Sequence, residues 1–481
     1  MAETIISADY LVVGAGAMGM AFADTLISDT KSTVVMVDRY ARPGGHWTIA
    51  YPYVRLHQPS AFYGVNSRHL GENKVDQVGL NKGMAELATV DEVCAYYSIV
   101  MHQTLLPSGR VAYYPKHKYL GEGRFRSIVT NKIFQVAENT RIVDATYMNV
   151  KVPAMGPPSY DVAGDVSLVT PNDLTKTIRP YGGYTVVGAG KTGIDACLWL
   201  LAHDVDPQLI TWIMPRDSWF LERSAIQPGP IFAESTAASV ASINESIMAA
   251  SSPDDLFLRM EAAVQLTRMS DTVWPTMFRC ATISLPELEQ VKKVGTIIRQ
   301  GRVVRISAGE VTMEQGSYKP LNDTLYVNCT ADALAKLEPV PVFRGRQITL
   351  QSVRYCQQVF SAAFIAHVEA TYGSDDRSKN ELAHVIPHPD EAIDWFIVTL
   401  QAHRNGLQWA THPKTTAWLS QARLDWFKTF LPPPPEDPAQ LAPFRAAVAA
   451  KVEAICAKLE QLISQLPEQD AARTKAQLAR L

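Results

Sequence analysis

The chain has 481 residues, of which 47% are hydrophobic and 19% charged, with a formal net charge of -3. This balance is typical of a globular protein with two or three domains and sizeable cores. The nearly neutral net charge gives no electrostatic reason to expect nucleic acid or an anionic membrane as a partner. The amino-terminal stretch MAETIISADYLVV lacks a secretory signal pattern, and no apolar run reaches about 18 residues, so we expect a cytoplasmic protein.

Cysteine and histidine are the residues that would reveal a disulfide framework or a metal site. Neither CxxC nor CxxxxC spacing occurs among the six cysteines, which favours reduced thiols in the core over a redox disulfide or a zinc knuckle. The eleven histidines show neither HxH nor HExxH spacing, so no metal site is predicted. The cysteines are Cys94, Cys197, Cys280, Cys329, Cys356 and Cys456.

The first predicted elements surround a glycine-rich turn. DYLVV predicts a buried parallel strand, and GMAFADTLI has the apolar spacing of a helix. Between them stand Gly14, Gly16 and Gly19 in GxGxxG spacing, where the first permits a tight turn, the second admits a pyrophosphate and the third lets the helix pack on the strand. The next strand, STVVMVDRY, ends in Asp38 and Arg39, about where a ribose-binding acid is expected. Together these elements predict a dinucleotide-binding fold.

A second glycine-rich turn repeats the pattern later in the chain. The strand YTVV leads into Gly188, Gly190 and Gly193, and an apolar helix follows. The next strand ends in Arg216 where an acid would bind the 2′-hydroxyl of NAD, and a guanidinium suits the 2′-phosphate of NADP. We therefore predict NADPH at this turn. Lys191 adds positive charge for the pyrophosphate, or is simply a solvated loop lysine.

The two folds together resemble the two-dinucleotide-binding flavoproteins, in which the first fold holds FAD and the second NADPH. Among these the chain is most similar to the flavin-containing and Baeyer-Villiger monooxygenases, because RPGGHW matches their GGxW element. The resemblance implies that Gly44 and Gly45 let the backbone pass close to the flavin, with His46 beside them, and that Trp47 closes one side. Plain core packing is the alternative for Trp47.

The next segment, YPYVRLHQPSAFYGV, is similar to the one that runs beneath the flavin in those enzymes. The resemblance makes Arg55, His57 and Gln58 the candidate catalytic residues, because related enzymes place an amide side chain there. The alternative is that each stabilises the loop. A helix beginning near Gln357 is expected to point its amino terminus at the flavin pyrimidine, where reduced flavin carries negative charge.

Three family signatures are missing from the chain. An FxGxxxH fingerprint before the second fold is absent, which disfavours Baeyer-Villiger chemistry. CxxxxC after the first fold is absent, which argues against the disulfide reductases that share the architecture. WxWxIP, the signature of flavin-dependent halogenases, does not occur either.

We predict an α/β fold with two Rossmann-like dinucleotide-binding domains, a helical insert and a helical C-terminal tail. The first part of the FAD-binding domain is expected at 1–175 and the NADPH-binding domain at 176–335, with the insert at about 235–292. The chain is expected to return to the FAD domain over 336–400, and a helical extension to fill 401–481.

The resemblance implies an NADPH-dependent, FAD-containing monooxygenase that acts on a small or medium organic molecule. Hydride transfer to FAD and a flavin C4a-hydroperoxide would carry the chemistry. The expected partners are the substrate and molecular oxygen, with no nucleic acid and no membrane, and a homo-oligomer is left open. Two alternatives are an NADPH-dependent flavin reductase or oxidase without oxygen insertion and a non-catalytic nucleotide-binding protein.

Overall fold

The computed structural model describes residues 4–331, 337–430, 435 and 437–480. The α-helices in these ranges are α1 (Ala17–Asp29), α2 (Val90–Val100), α3 (Pro171–Leu174), α4 (Lys191–Ala202), α5 (Ala233–Ala249), α6 (Pro253–Ala262), α7 (Leu285–Val291), α8 (Gln358–Thr371), α9 (Asp376–Leu382), α10 (Asp394–Ala410), α11 (Pro413–Gln421), α12 (Pro438–Ser464) and α13 (Glu468–Arg480). The strands are β1 (Thr4–Ile6), β2 (Tyr10–Val13), β3 (Val34–Asp38), β4 (Val111–Pro115), β5 (His117–Gly121), β6 (Arg124–Ser127), β7 (Ile133–Val136), β8 (Arg141–Asp144), β9 (Asp161–Val162), β10 (Ser167–Val169), β11 (Gly183–Val187), β12 (Ile210–Ile213), β13 (Ser218–Glu222), β14 (Leu266–Thr267), β15 (Met277–Ile283), β16 (Thr296–Ile298), β17 (Val303–Ile306), β18 (Val311–Met313), β19 (Gly316–Tyr318), β20 (Thr324–Asn328), β21 (Phe343–Arg344) and β22 (Gln347–Thr349).

The first glycine-rich turn follows the carboxyl end of β2, a central strand of a six-stranded sheet with the order β21-β22-β8-β2-β3-β4. Strand β2 pairs in parallel with β3 and with β8. All five residues of β3 are buried, as expected for an apolar strand covered on both faces. Strand β22 comes late in the chain and pairs with β8, so the chain returns to this sheet after building the second one.

The second glycine-rich turn follows the carboxyl end of β11, the central strand of a five-stranded sheet with the order β10-β20-β11-β12-β16. Every pairing in this sheet is parallel. In each sheet a central strand runs into a glycine turn and then into a helix, β2 into α1 and β11 into α4. Helices α10 to α13 form the C-terminal part of the described chain. The predicted α/β class with two Rossmann-like units and a helical tail is confirmed.

Helix packing fixes the surroundings of the first sheet. Helix α1 is buried from Met18 to Ile27, because the sheet covers one side and α8 packs along another. Further along, α12 packs on α5 and α10, so this C-terminal helix is part of the body. Of the helices in the described ranges, none combines the length and apolarity needed to cross a membrane.

The expectation that all six cysteines are reduced thiols is wrong for one pair. Cys280 and Cys356 form a disulfide, with their Cα atoms 6.4 Å apart and a sequence separation of 76. A search for short cysteine spacings cannot find a pair that only the tertiary fold brings together. The other four cysteines, Cys94, Cys197, Cys329 and Cys456, are free and buried.

A close backbone contact requires glycine at the third position of each turn. A Cβ atom on Gly19 would overlap the carbonyl oxygen of Gly14, and one on Gly193 would overlap that of Gly188. In both turns the helix therefore starts directly against the end of its strand, which only glycine permits. Gly190 is different, since a Cβ atom there meets no heavy atom within 4 Å and its φ of -79° suits any residue.

We expect Gly193→Ala to destabilise the protein and Gly190→Ala to leave its stability unchanged. The first substitution forces a methyl group into a backbone carbonyl, an overpacking that costs about 1–3 kcal/mol. The second places the same methyl group in open space. Urea unfolding of both variants measures the difference, and equal midpoints would contradict this account of the turn.

Candidate functional site

The first glycine turn presents free backbone donors. Gly14 adopts a φ of 102° and donates its N–H to Val37 O at the end of β3, 2.8 Å away. Helix α1 then begins at Gly16 without a side-chain cap, and Gly16 and Ala17 are partly exposed. The amide groups of this first turn and the positive end of the helix dipole are therefore available to an anion.

Asp38 lies beside the turn, where the sequence predicted it. Its carboxylate accepts hydrogen bonds from the amides of Ala15 at 2.6 Å and Tyr40 at 2.7 Å. Burial raises the pKa of this carboxyl, and the two amide donors oppose that effect. Asp38 thus ties the turn to the end of β3. The neighbouring Arg39 is exposed and donates to the Tyr40 hydroxyl, 3.0 Å away.

The GGHW element packs against the same turn. The amide of Gly44 donates to Ala15 O at 2.9 Å, and Gly44 and Gly45 adopt φ angles of 119° and 58°. A Cβ atom on Gly45 would come within 2.9 Å of the Gly16 Cα, so the two backbones are in contact. Glycine at both positions lets the turn and this element form one backbone surface.

His46 and Trp47 close one side of that surface. The Trp47 indole is buried and donates to the Tyr63 hydroxyl at 2.7 Å. The imidazole of His46 lies beside it, with ring centroids 5.5 Å apart. Burial lowers the pKa of His46 to about 4, so this side chain is neutral near pH 7.

The second glycine turn has the same construction. Gly188 adopts a φ of 120°, its amide donates to Ile213 O at 3.1 Å, and its carbonyl accepts from the Trp212 indole at 2.8 Å. Helix α4 begins after Gly190 without a side-chain cap. Gly190 is exposed, with open space in front of it.

Both turns fit the pyrophosphate of a dinucleotide. Each offers a helix start without a side-chain cap, and a pyrophosphate is an anion that such a start can bind. The open space before Gly190 is the place where a side chain would obstruct a phosphate.

A segment that follows GGHW links the two turns. The Tyr51 hydroxyl donates to Asp195 on α4 at 2.7 Å, and Tyr53 lies against Trp199 with ring centroids 5.7 Å apart. Asp195 also pairs with Lys191, for which the sequence left open a pyrophosphate contact or a solvated loop position. Lys191 therefore reaches the turn with part of its charge already balanced.

His57 occupies the centre of this junction. Its Nδ1 accepts a hydrogen bond from the amide of Thr282, 3.1 Å away, so the neutral ring carries its proton on Nε2. Burial first, and then the charges of Lys191 and Arg223, lower the pKa of His57 to about 3. The ring is therefore a neutral N–H donor throughout the physiological pH range.

A buried ion pair holds the backbone of His57 in place. Arg223 is fully buried, donates to the carbonyl of His57 at 3.0 Å and pairs with Glu287 at 2.6 Å. The sequence analysis did not identify this pair. Its one signal was a charged residue directly after SWFLE, a strand whose five residues are all buried.

The three candidate catalytic residues are not brought together. Arg55 is exposed and its nearest partner is Leu87 O, 3.5 Å away, so its guanidinium lies outside the junction. Gln58 is partly buried beside His57. The side chain of His57 contacts the second unit through the amide of Thr282.

Arg216 follows β12 as predicted, but other parts of the chain already hold its guanidinium. It pairs with Asp390 and Glu391, each at 3.0 Å, and donates to Thr276 O at 2.8 Å. Asp390 also pairs with Arg279 at 2.9 Å. A 2′-phosphate at this position would compete with two carboxylates.

Gln357 is the residue immediately before α8, where the sequence predicted a helix start. Its side chain is buried and donates through Nε2 to Leu424 O at 3.2 Å. Among the described residues its Oε1 has no hydrogen-bond partner, and α8 has no side-chain cap. The start of α8 therefore presents unused polar groups.

Comparison with solved structures finds flavoproteins at low identity. A flavin-containing monooxygenase from Stenotrophomonas maltophilia is 16% identical, covering 73% of this chain and 88% of that one, with a TM-score of 0.38. The structure of OTEMO in complex with FAD and NADP is 12% identical over 76% and 83% of the two chains, with a TM-score of 0.46. A flavoprotein disulfide reductase from Escherichia coli is 10% identical over 77% and 72%, with a TM-score of 0.39. These flavoproteins belong to the group that the motifs resemble, but at such scores no function of this chain follows from them.

Comparison with curated proteins gives a much stronger match. No protein-family model matches the chain. Uncharacterized proteins from Mycobacterium bovis and Mycobacterium tuberculosis are 52% identical to it over 428 residues. The match covers 89% of this chain and 79% of each relative. The chain belongs to the family of these mycobacterial proteins.

Proposed function

We propose that the chain is an NADPH-dependent flavoprotein monooxygenase, with FAD at the first glycine turn and NADPH at the second. The observation that carries this proposal is the pair of uncapped helix starts, joined by one segment that contacts both units. Two dinucleotide sites linked in this way suit a protein that passes hydride from one nucleotide to the other. The flavin would supply hydride acceptance and oxygen activation when bound.

The chain's own groups hold and orient the two nucleotides in this proposal. At the first turn the amides of Gly16 and Ala17 would bind the pyrophosphate and Asp38 would receive the ribose, while Gly45 lets its backbone pack against Gly16. The start of α8, after Gln357, directs its dipole at the negative charge of the reduced ring. The apolar surroundings of Trp47 exclude water from this side.

His57 is the residue that best suits a place beside the reacting atoms. Its ring is neutral, its proton lies on Nε2, and Thr282 fixes its orientation. A fixed neutral N–H donor can hold a hydrogen bond to an oxygen of substrate or cofactor without losing its proton. Gln58 would contribute its amide next to His57, and Arg55 its charge at the solvent side.

An absorption spectrum of the purified protein, followed by anaerobic NADPH, tests the proposal. We expect the visible bands of oxidised flavin and their bleaching on addition of NADPH, because both nucleotides are bound in one chain. Aerobic turnover with candidate substrates then separates oxygenated product from hydrogen peroxide. A colourless protein that takes up no added FAD would rule out the flavin assignment.

We expect Gly190→Ala to weaken NADPH binding at least about tenfold, which corresponds to about 1.4 kcal/mol. The new methyl group would enter the open space that the pyrophosphate is proposed to fill. FAD content should not change, because the first turn is untouched. Gly156→Ala is the matched control, since it also adds a methyl group to open space and lies away from both turns. Fluorescence titration with NADPH measures the affinity of both variants. Equal affinities would contradict the assignment of NADPH to the second glycine turn.

We expect Arg216→Ala to weaken the binding of NADPH by about 10–100-fold and to leave the binding of NADH almost unchanged. The lost contact is a charge-assisted hydrogen bond worth about 1.5–3 kcal/mol. Asp390 stays paired with Arg279, and Glu391, which loses its partner, is 41% exposed and can be solvated by water. Glu391→Gln should have the opposite effect and strengthen the binding of NADPH, because it removes a carboxylate that competes for the Arg216 guanidinium. Equal effects of Arg216→Ala on both nucleotides would disprove the 2′-phosphate contact.

A further inference from the structure

The Cys280–Cys356 disulfide joins the strand β15 to the residue pair that precedes α8. Cys280 is buried within an apolar cluster that includes Phe62, and Cys356 packs against the same cluster while staying partly exposed. Phe62 belongs to the segment that links the two glycine turns. The disulfide therefore lies in the same apolar cluster as a residue of this segment, although neither cysteine belongs to a recognisable motif.

The backbone around Cys280 forms a β-bulge. Strands β13 and β15 pair Trp219 with Phe278 and then Leu221 with Thr282, so three residues of β15 face one of β13. Cys280 is the middle residue of this bulge and has a φ of 54°. Bulges redirect side chains and are frequent next to active sites. Here the bulge turns a strand residue toward Cys356.

The backbone next to Cys356 is strained as well. Tyr355 has a φ of 46°, a left-handed conformation that is costly for a bulky residue. On either side of Tyr355 and Cys356, buried contacts hold the chain, since Arg354 pairs with Asp425 at 3.0 Å and Gln357 donates to Leu424 O. Strained backbone that its surroundings hold in place concentrates at functional sites.

Each cysteine is close in sequence to a group of the proposed site. Thr282, two residues after Cys280, donates its amide to His57. Gln357, directly after Cys356, has a buried Oε1 that finds no partner among the described residues. The disulfide thus connects the strand that orients His57 to the start of α8.

We propose that Cys280 and Cys356 form a redox-active disulfide that NADPH reduces, an inference that rests on the proposed function. The S–S bond breaks and takes up two electrons. NADPH gives one hydride and becomes NADP⁺, and solvent gives one proton, so both cysteines end as thiols. The chain would then store two electrons on its own side chains in addition to those held by a bound cofactor.

Counting thiols in the holoenzyme before and after anaerobic NADPH tests the inference. The protein is quenched in acid and denaturant, alkylated, and analysed by mass spectrometry, while the flavin spectrum is recorded in the same sample. We expect four alkylated cysteines before NADPH and six afterwards, because four are free in the structure. The wild type should also consume one equivalent of NADPH more than a Cys280→Ser/Cys356→Ser variant. Cys456→Ser is the matched control and should leave the number of NADPH equivalents unchanged.

The outcomes separate this inference from the proposed function. Bleached flavin with four thiols would overturn the inference and leave the proposed function intact. Six thiols before NADPH would overturn it too, because no disulfide would exist. Flavin that does not respond to NADPH would overturn the proposed function, and the inference with it. The thiol count uses the wild type alone, so it decides the matter even if the double variant does not fold.

Discussion

The whole arrangement depends on one close contact, made twice, between the start of a helix and the end of its strand. In each glycine turn the third glycine lies against the carbonyl oxygen of the first, Gly19 on Gly14 and Gly193 on Gly188. This contact leaves no room for a side chain and sets the direction in which α1 and α4 begin. Because neither helix has a side-chain cap, its first amides stay unpaired and point away from the sheet. The starts of both helices thus depend on two positions where the backbone leaves no room for a Cβ atom.

The junction between the two turns is held by charges whose burial would be unfavourable without partners. Arg223 is fully buried, and its pairing with Glu287 and with the His57 carbonyl offsets the cost of removing it from water. The ion pair of Lys191 and Asp195 does the same at the second turn. Burial first, and then the positive charges of Lys191 and Arg223, lower the pKa of His57, while Glu287 opposes them. The result is a rigid junction in which the imidazole has one protonation state and one tautomer.

Local sequence pattern was enough to predict the glycine turns, the strands on either side of them, Asp38 at the end of β3 and the start of α8 near Gln357. Each of these depends on residues within about 25 positions of one another, where periodicity and glycine spacing carry the information. The pairing of Arg216 with Asp390 spans 174 residues, and the disulfide spans 76. Contacts of that range leave no local pattern, so the sequence indicated neither the carboxylate partners of Arg216 nor the disulfide.

In the proposed function, the preference for NADPH at the second turn depends on competition for the Arg216 guanidinium. Asp390 and Glu391 are positioned by Asp394, the first residue of α10, whose carboxylate accepts from both of their amides at 2.9 Å. Asp394 thus holds the backbone of both residues beside Arg216. A 2′-phosphate gains only the difference between its own attraction for the guanidinium and that of two carboxylates. The C-terminal helices, which lie far along the chain from the glycine turn, would in this way take part in selecting the nucleotide that binds there.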